Sequence, residues 1–199
     1  MNLQNKLIMY DFLIPVLATI LVLIIRPDYA FLTIFLGIPI YLIITKRKSF
    51  LPVFLIATIQ AFVWILIGNK QYGYNQEVMI IFGLNIFPFL LWSTGLFLVY
   101  LYSSHISNWL NLKSFTKQFI VYIIMFWFVL IIIETLAYHV FLIRNAATGM
   151  YPGLPICECI HAPVWMQIVY LTMGPINFLI QRWMKKLFLN KDKPQKFKK

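Results

Sequence analysis

Six apolar runs, each closed by a charge, a proline or a polar turn, divide this chain. They lie at about residues 8–25, 30–45, 51–68, 78–102, 119–141 and 164–180. A helix needs about 20 such residues to cross a bilayer. In hydrocarbon the backbone must satisfy its own hydrogen bonds, which a helix does. The runs therefore predict an all-α, polytopic membrane domain over residues 1–184 with six transmembrane helices. A basic tail follows at 185–199. The first run has no convincing small-residue cleavage site after it, and Arg26, Pro27 and Asp28 end it, so it reads as a retained span.

Composition agrees. Of 199 residues, 61% are hydrophobic and 12% charged, with mean hydropathy +0.81. Soluble domains carry about a quarter charged residues. This chain has too few to cover a water-facing surface, which excludes disorder, a coiled coil and an ordinary soluble enzyme. The net charge of +11 reads as topology rather than nucleic-acid binding. Lys6, the Lys46–Lys48 triplet, Lys113, Lys117 and eight cations from Arg182 onward fall on one side of a six-span plan; Arg26, Lys70 and Arg144 fall on the other. Basic residues concentrate on cytoplasmic loops. Both termini are thus expected in the cytoplasm, the chain in a cell or inner membrane, and the tail against anionic lipid. The sequence leaves the oligomeric state open.

Gly37 and Pro39 in the second run and Gly174 and Pro175 in the sixth predict kinks. Residues 105–117 read as an interfacial loop, and Gln60 and Asn85 as helix-packing residues.

An ionisable residue inside hydrocarbon is costly and marks a functional candidate. Asp11, near the end of the first run, reads as an interfacial acid close to Lys6. Glu134 lies deep in the fifth run, with Thr135 and Tyr138 near it, and reads as either a partner of Gln60 or Asn85, or a proton carrier or cation stabiliser. His139 is a candidate border of the same cavity. The densest polar stretch, residues 144–163, holds Cys157, Glu158, Cys159 and His161. Three readings compete there. Cys157, Cys159 and His161 suit zinc or copper by ligand type, although the C-x-C spacing is a weak signal. The cysteines can do redox chemistry, although residues two apart bridge only with strain. Glu158 can act as an acid, with the cysteines as small neighbours. The P-loop, HExxH and G-x-S-x-G signatures are missing, and three histidines are too few for a histidine-rich di-iron centre.

Gly149…Leu154-Pro155-Ile156-Cys157-Glu158 resembles the loop G…(L/I)-P-x-E-(E/D) of the small membrane-bound lycopene cyclases, with Cys157 in place of the first acid. Tyr74…Phe82-Gly83-Leu84-Asn85-Ile86-Phe87-Pro88-Phe89-Leu90-Leu91 resembles the same region of a second three-span unit, without its acidic pair. The likeness covers two stretches of about 25 residues and the six-span plan. It implies acid-base cyclisation or isomerisation of an isoprenoid, with no required cofactor. Glu158 would donate the proton and Glu134 would act as second carboxylate or relay. Tyr151, Trp165 and Trp92 would wall a pocket for the carbocation. Two other classes stand beside this one: a small transporter or channel using Glu134, and a non-catalytic metal-binding or assembly protein. A path past Glu134 open to both sides would mark the transporter, and a closed pocket facing lipid would mark the enzyme.

Overall fold

The computed structural model describes residues 3–75, 77–145 and 149–191, with side chains from residue 7 to residue 186. Among these residues the fold is helical: α1 (Leu3–Ile24), α2 (Pro27–Ile44), α3 (Leu51–Gly68), α4 (Ile86–Trp109), α5 (Phe115–Thr135) and α6 (Val164–Lys191). A π-turn over Leu136–Val140 extends α5. The helices run back and forth between two faces. One face carries the α2–α3 and α4–α5 turns, the start of α1 and the end of α6, and is called the terminal face. The other carries the three longer connections and is called the loop face.

The first five helices are long and apolar enough to cross a membrane. The sixth is 28 residues long, and its polar residues have local uses. Gln181 Nε2 donates to the Val53 carbonyl at 2.8 Å, and Asn177 Nδ2 to Gln60 Oε1 at 2.9 Å. Tyr122 donates to Asn177 Oδ1, and Gln60 Nε2 to the Met173 carbonyl. Gln60 is thus the α3–α6 packing residue that the sequence suggests. These groups face neighbouring helices, while large aliphatic side chains such as Leu23, Ile24 and Ile44 stay about 70% exposed on the outside. That inside-out pattern fits lipid rather than water.

α4 is the axis of the bundle. It packs against α2, α3, α5 and α6, and most of its residues are buried. Ser93 and Thr94 are small residues buried on its inner face. α1 is peripheral and packs mainly on α2.

Prolines shape the packing in a way the predicted kinks only hint at. Proline removes one helical N–H and frees the carbonyl four residues earlier. Pro15 frees that of Asp11, which accepts the Tyr102 hydroxyl at 2.9 Å. Pro175 frees that of Leu171, which accepts Trp127 Nε1 at 2.9 Å. α2 and α6 run on as single helices through Pro39 and Pro175.

Several boundaries differ from expectation. The stretch from residue 78 opens with a hairpin, Ile80–Ile81 paired antiparallel with Leu84–Asn85. Phe82 and Gly83 turn it with φ of 51° and 75°, the left-handed region a two-residue hairpin needs. Asn85 is therefore not inside a span. It caps α4, its Oδ1 accepting the Phe87 N–H at 3.1 Å. The expected loop from residue 105 is helix as far as Trp109. At the other end, α6 runs seven residues into the stretch expected as tail.

Candidate functional site

Among the described residues, each face holds one buried aspartate. On the terminal face, Asp11 is 0% exposed. Its carboxylate accepts both Arg47 Nη atoms at 2.7 Å, the Tyr41 hydroxyl at 2.7 Å and His105 Nε2 at 2.6 Å. All four acceptor positions are filled, so the group ties α1, α2 and α4 together and has no room for a ligand. The expectation of an interfacial acid near Lys6 is corrected: Asp11 is dry, and its partner is Arg47. On the loop face, Asp28 accepts Arg26 Nη2 at 2.7 Å, Arg26 Nε at 3.2 Å, and the backbone N–H groups of Tyr29 and Met79.

Between these anchors lies an aromatic cluster. The Tyr72 hydroxyl accepts Trp64 Nε1 at 2.7 Å and Trp92 Nε1 at 3.3 Å, and sits 2.7 Å from the Tyr170 hydroxyl. Burial pushes the Tyr72 hydroxyl above the ordinary phenol range, and the Tyr74 hydroxyl likewise. A neutral phenol has one proton and two lone pairs. Two indoles fill the lone pairs of Tyr72, so its proton goes to Tyr170. The Tyr170 hydroxyl then keeps its own proton free.

Tyr170 and Tyr74 line a cavity of about 50 Å³ with Glu134, Tyr138 and His161. Glu134 also borders a second space of about 40 Å³, with Leu91, Trp92, Gly95 and Phe126. Among the described residues its carboxyl has neither a hydrogen bond nor an ion pair. Gln60 and Asn85 are engaged elsewhere, so they are not its partners. The π-turn begins two residues later and presents Ala137 and Tyr138 to the first cavity. π-turns inside helices often accompany functional sites. Toward the terminal face the second space ends at Val99 and Phe126, beyond which Tyr122, Asn177 and Gln60 are bonded across the bundle.

No family model, curated protein or solved structure matches this chain. The site therefore rests on its own geometry.

Of the stretch 144–163, Asn145, Ile160 and His161 border the Glu134 cavity. Tyr74 pairs with Asn145, and Asn75 exchanges bonds with Arg144, its N–H donating to the Arg144 carbonyl and its Oδ1 accepting the Arg144 N–H, both at 2.9 Å. Cys157 and Cys159 form a disulfide, although spacing alone argues against that bridge. The turn that carries it is closed by Leu154 N–H to the Cys159 carbonyl at 2.8 Å. Gly153 is required there, because a Cβ would come within 2.8 Å of the Glu158 carbonyl carbon.

The disulfide leaves neither sulfur as a thiolate. Both ring nitrogens of His161 lie against backbone oxygens, those of Tyr151 at 2.8 Å and Glu158 at 3.1 Å. Among the described residues no group of three or more His, Cys, Asp or Glu is placed to hold a metal. In this form the trio Cys157, Cys159 and His161 is a structural turn rather than a zinc or copper set.

The remaining candidates separate into two groups. Trp92 is buried, lines a Glu134 cavity and packs edge-on against Tyr170 at 4.9 Å. His161 stacks on Tyr138 at 4.5 Å and lines the other. Glu158 is exposed and lines neither, so the two carboxylates do not share a cavity. His139 is exposed, with Nε2 against the Cys157 carbonyl. Trp165 is 45% exposed against Trp64. Tyr151 contributes a backbone carbonyl to His161. Tyr74 and Tyr170, which line the cavity, and Tyr72, which bonds to Tyr170, are not among the site residues expected from the sequence. Tyr170 is one of many aromatic residues in apolar segments, Tyr72 and Tyr74 lie in a polar connection, and nothing in their spacing marks them.

Proposed function

We propose that this chain is a multi-pass protein of a cell or inner membrane that binds an apolar isoprenoid or other lipid and acts on it by acid-base chemistry, with Glu134 as the acid. The observation that carries this is an unpaired carboxyl within the loop-face half of a span, bordering two cavities lined by aromatic rings. A structural carboxyl would be saturated, as Asp11 and Asp28 are. A reactive one must keep an oxygen free for substrate. The carboxylate that Glu134 becomes takes back the proton that the cationic intermediate must lose, which restores the acid within one turnover. Tyr170, with its uncommitted proton, lines the same cavity and can hold that carboxylate by a hydrogen bond. Trp92 and Tyr74 offer ring faces to a cationic intermediate. The same geometry supports the cyclase or isomerase reading with one change from the resemblance: the acid is Glu134, and Glu158 belongs to the loop turn.

Filled packing between Glu134 and the terminal face favours a closed pocket over a transport path. The basic residues on the terminal face support placing it in the cytoplasm. The loop-face disulfide agrees, because such bonds persist in oxidising compartments.

The test expresses wild type, Glu134→Gln and Glu158→Gln in a bacterial host engineered to accumulate linear isoprenoids, lycopene among them, after membrane insertion of each is verified. Apolar extracts are compared by chromatography and mass spectrometry. Wild type and Glu158→Gln should yield a new product that Glu134→Gln lacks. Identical extracts from inserted wild type and Glu134→Gln would overturn the reading.

A further inference from the structure

A third cavity, of about 130 Å³, lies beside the Glu134 spaces in the loop-face half of the bundle. Pro15, Phe31, Phe87 and Ala137 help to line it, and it shares Leu91, Gly95 and Ile133 with one Glu134 cavity. Thr19 of α1 and Leu136 of the π-turn also line it and are exposed, so its mouth opens between α1 and α5 toward lipid. Its wall is almost wholly apolar, with one polar group buried in it. Thr94 is 2% exposed, and its Oγ1 is the one buried side-chain polar atom among the described residues with no hydrogen-bond partner.

That orphan is informative because the usual remedy is at hand and unused. A helical threonine commonly donates to the carbonyl four residues back. Thr19, Thr33, Thr58, Thr135 and Thr172 all do so, at 2.6–2.9 Å. Thr94 does not. A hydroxyl left unpaired in a dry site is unfavourable, and Thr94 is one of the residues that line the cavity.

Resting on the reading of an apolar-lipid site above, we infer that this cavity receives the end of an apolar lipid that carries one oxygen, a hydroxyl or a carbonyl, and that Thr94 is the residue that recognises it. An apolar cavity of about 150 Å³ accepts a benzene ring, so this one fits a six-membered ring or a single branched five-carbon unit. The rest of the ligand leaves through the mouth between Thr19 and Leu136. The neighbouring Glu134 then meets the ligand along its chain, and Thr94 sets which end enters.

The full chain in nanodiscs, with empty discs as the partition control, is titrated with farnesol and with the hydrocarbon farnesene. Wild type should bind the alcohol roughly threefold to tenfold more tightly, the worth of one net hydrogen bond. Thr94→Val should abolish that preference and leave farnesene binding unchanged. Gly95→Leu should remove binding of both. A Cβ at Gly95 meets nothing within 4 Å, so a side chain has room to start there and to grow into the cavity, and membrane insertion and thermal unfolding of the variant are checked beside binding. Glu134→Gln should keep the preference. Equal binding of the two ligands by wild type, a preference that survives Thr94→Val, or binding that survives Gly95→Leu would each overturn the inference. A retained preference with no conversion in the expression test would uphold this site and remove the acid chemistry. Conversion without any preference would do the reverse.

Discussion

Arg47 holds Asp11 through two 2.7 Å bonds, one to each carboxylate oxygen, at a point where the aspartate is wholly buried and the arginine nearly so. Removing one member of a buried ion pair leaves the other charge stranded, at a cost of about 3–5 kcal/mol. Arg47→Ala should therefore destabilise the bundle by roughly that amount. Asp11→Asn should cost less, because its amide oxygen can still accept from Arg47 and Arg47 is the more exposed partner. The double variant Asp11→Asn/Arg47→Ala should be more stable than Arg47→Ala alone. Thermal unfolding of each in detergent gives the cycle, and purely additive effects would argue against a coupled pair.

The Tyr72 hydroxyl joins α3, α4 and α6 through Trp64, Trp92 and Tyr170. Tyr72→Phe deletes one oxygen and leaves two indole N–H groups and one phenol without a partner. Each stranded buried donor costs about 1–3 kcal/mol. The loss should exceed that from Tyr170→Phe, which leaves Trp64 and Trp92 bonded. Trp92→Phe removes only a 3.3 Å contact and should cost least. An order of Tm values other than this would mean that Tyr72 is not the centre of the cluster.

Much of the fold is legible in the sequence, because hydrocarbon imposes a strong rule. Runs of about 20 apolar residues must be helices, and prolines, charges and polar turns end them. The Arg26–Asp28 turn and the α3 boundaries follow directly. The order of burial does not. Nothing in the residues of α4 announces that it is the axis, because lipid-facing and core-facing positions are equally apolar. The functional candidates divide for a similar reason. Glu134 stands out as a charge in hydrocarbon, and the cavity confirms that its setting is unusual. Arg47 is hidden between Lys46 and Lys48, where it reads as one more cytoplasmic cation. Tyr72 and Thr94 matter through which bonds they make or omit, and that depends on helix rotation, which no local pattern encodes.

The contact between α5 and α6 is set by one missing side chain. A Cβ at Gly174 would lie 2.2 Å from the Phe126 ring, far inside contact distance. Gly174→Ala should force the helices apart and cost about 1–3 kcal/mol, the usual effect of overfilling a packed core. Gly95→Ala meets open space and should be neutral or slightly stabilising, since alanine favours helix. Pairing Gly174→Ala with Phe126→Leu should recover part of the loss. If Gly174→Ala is as benign as Gly95→Ala, the helices are not in the close contact described.

The cysteine pair offers a direct test of orientation. With Cys157 and Cys159 bonded to each other, no cysteine among the described residues is free. Intact cells should therefore take up no membrane-impermeant maleimide before reduction. After a brief impermeant reductant the same cells should label, because the turn lies on the loop face and the Ile156 and Glu158 side chains flanking Cys157 are exposed. A Cys157→Ser variant should label without reductant, through Cys159, only as far as its burial allows. It should label more strongly once the protein is unfolded. Labelling of the wild type only after the cells are opened would place this loop in the cytoplasm. That would reverse the topology to which the basic residues at Lys46–Lys48 and beyond Arg182 point.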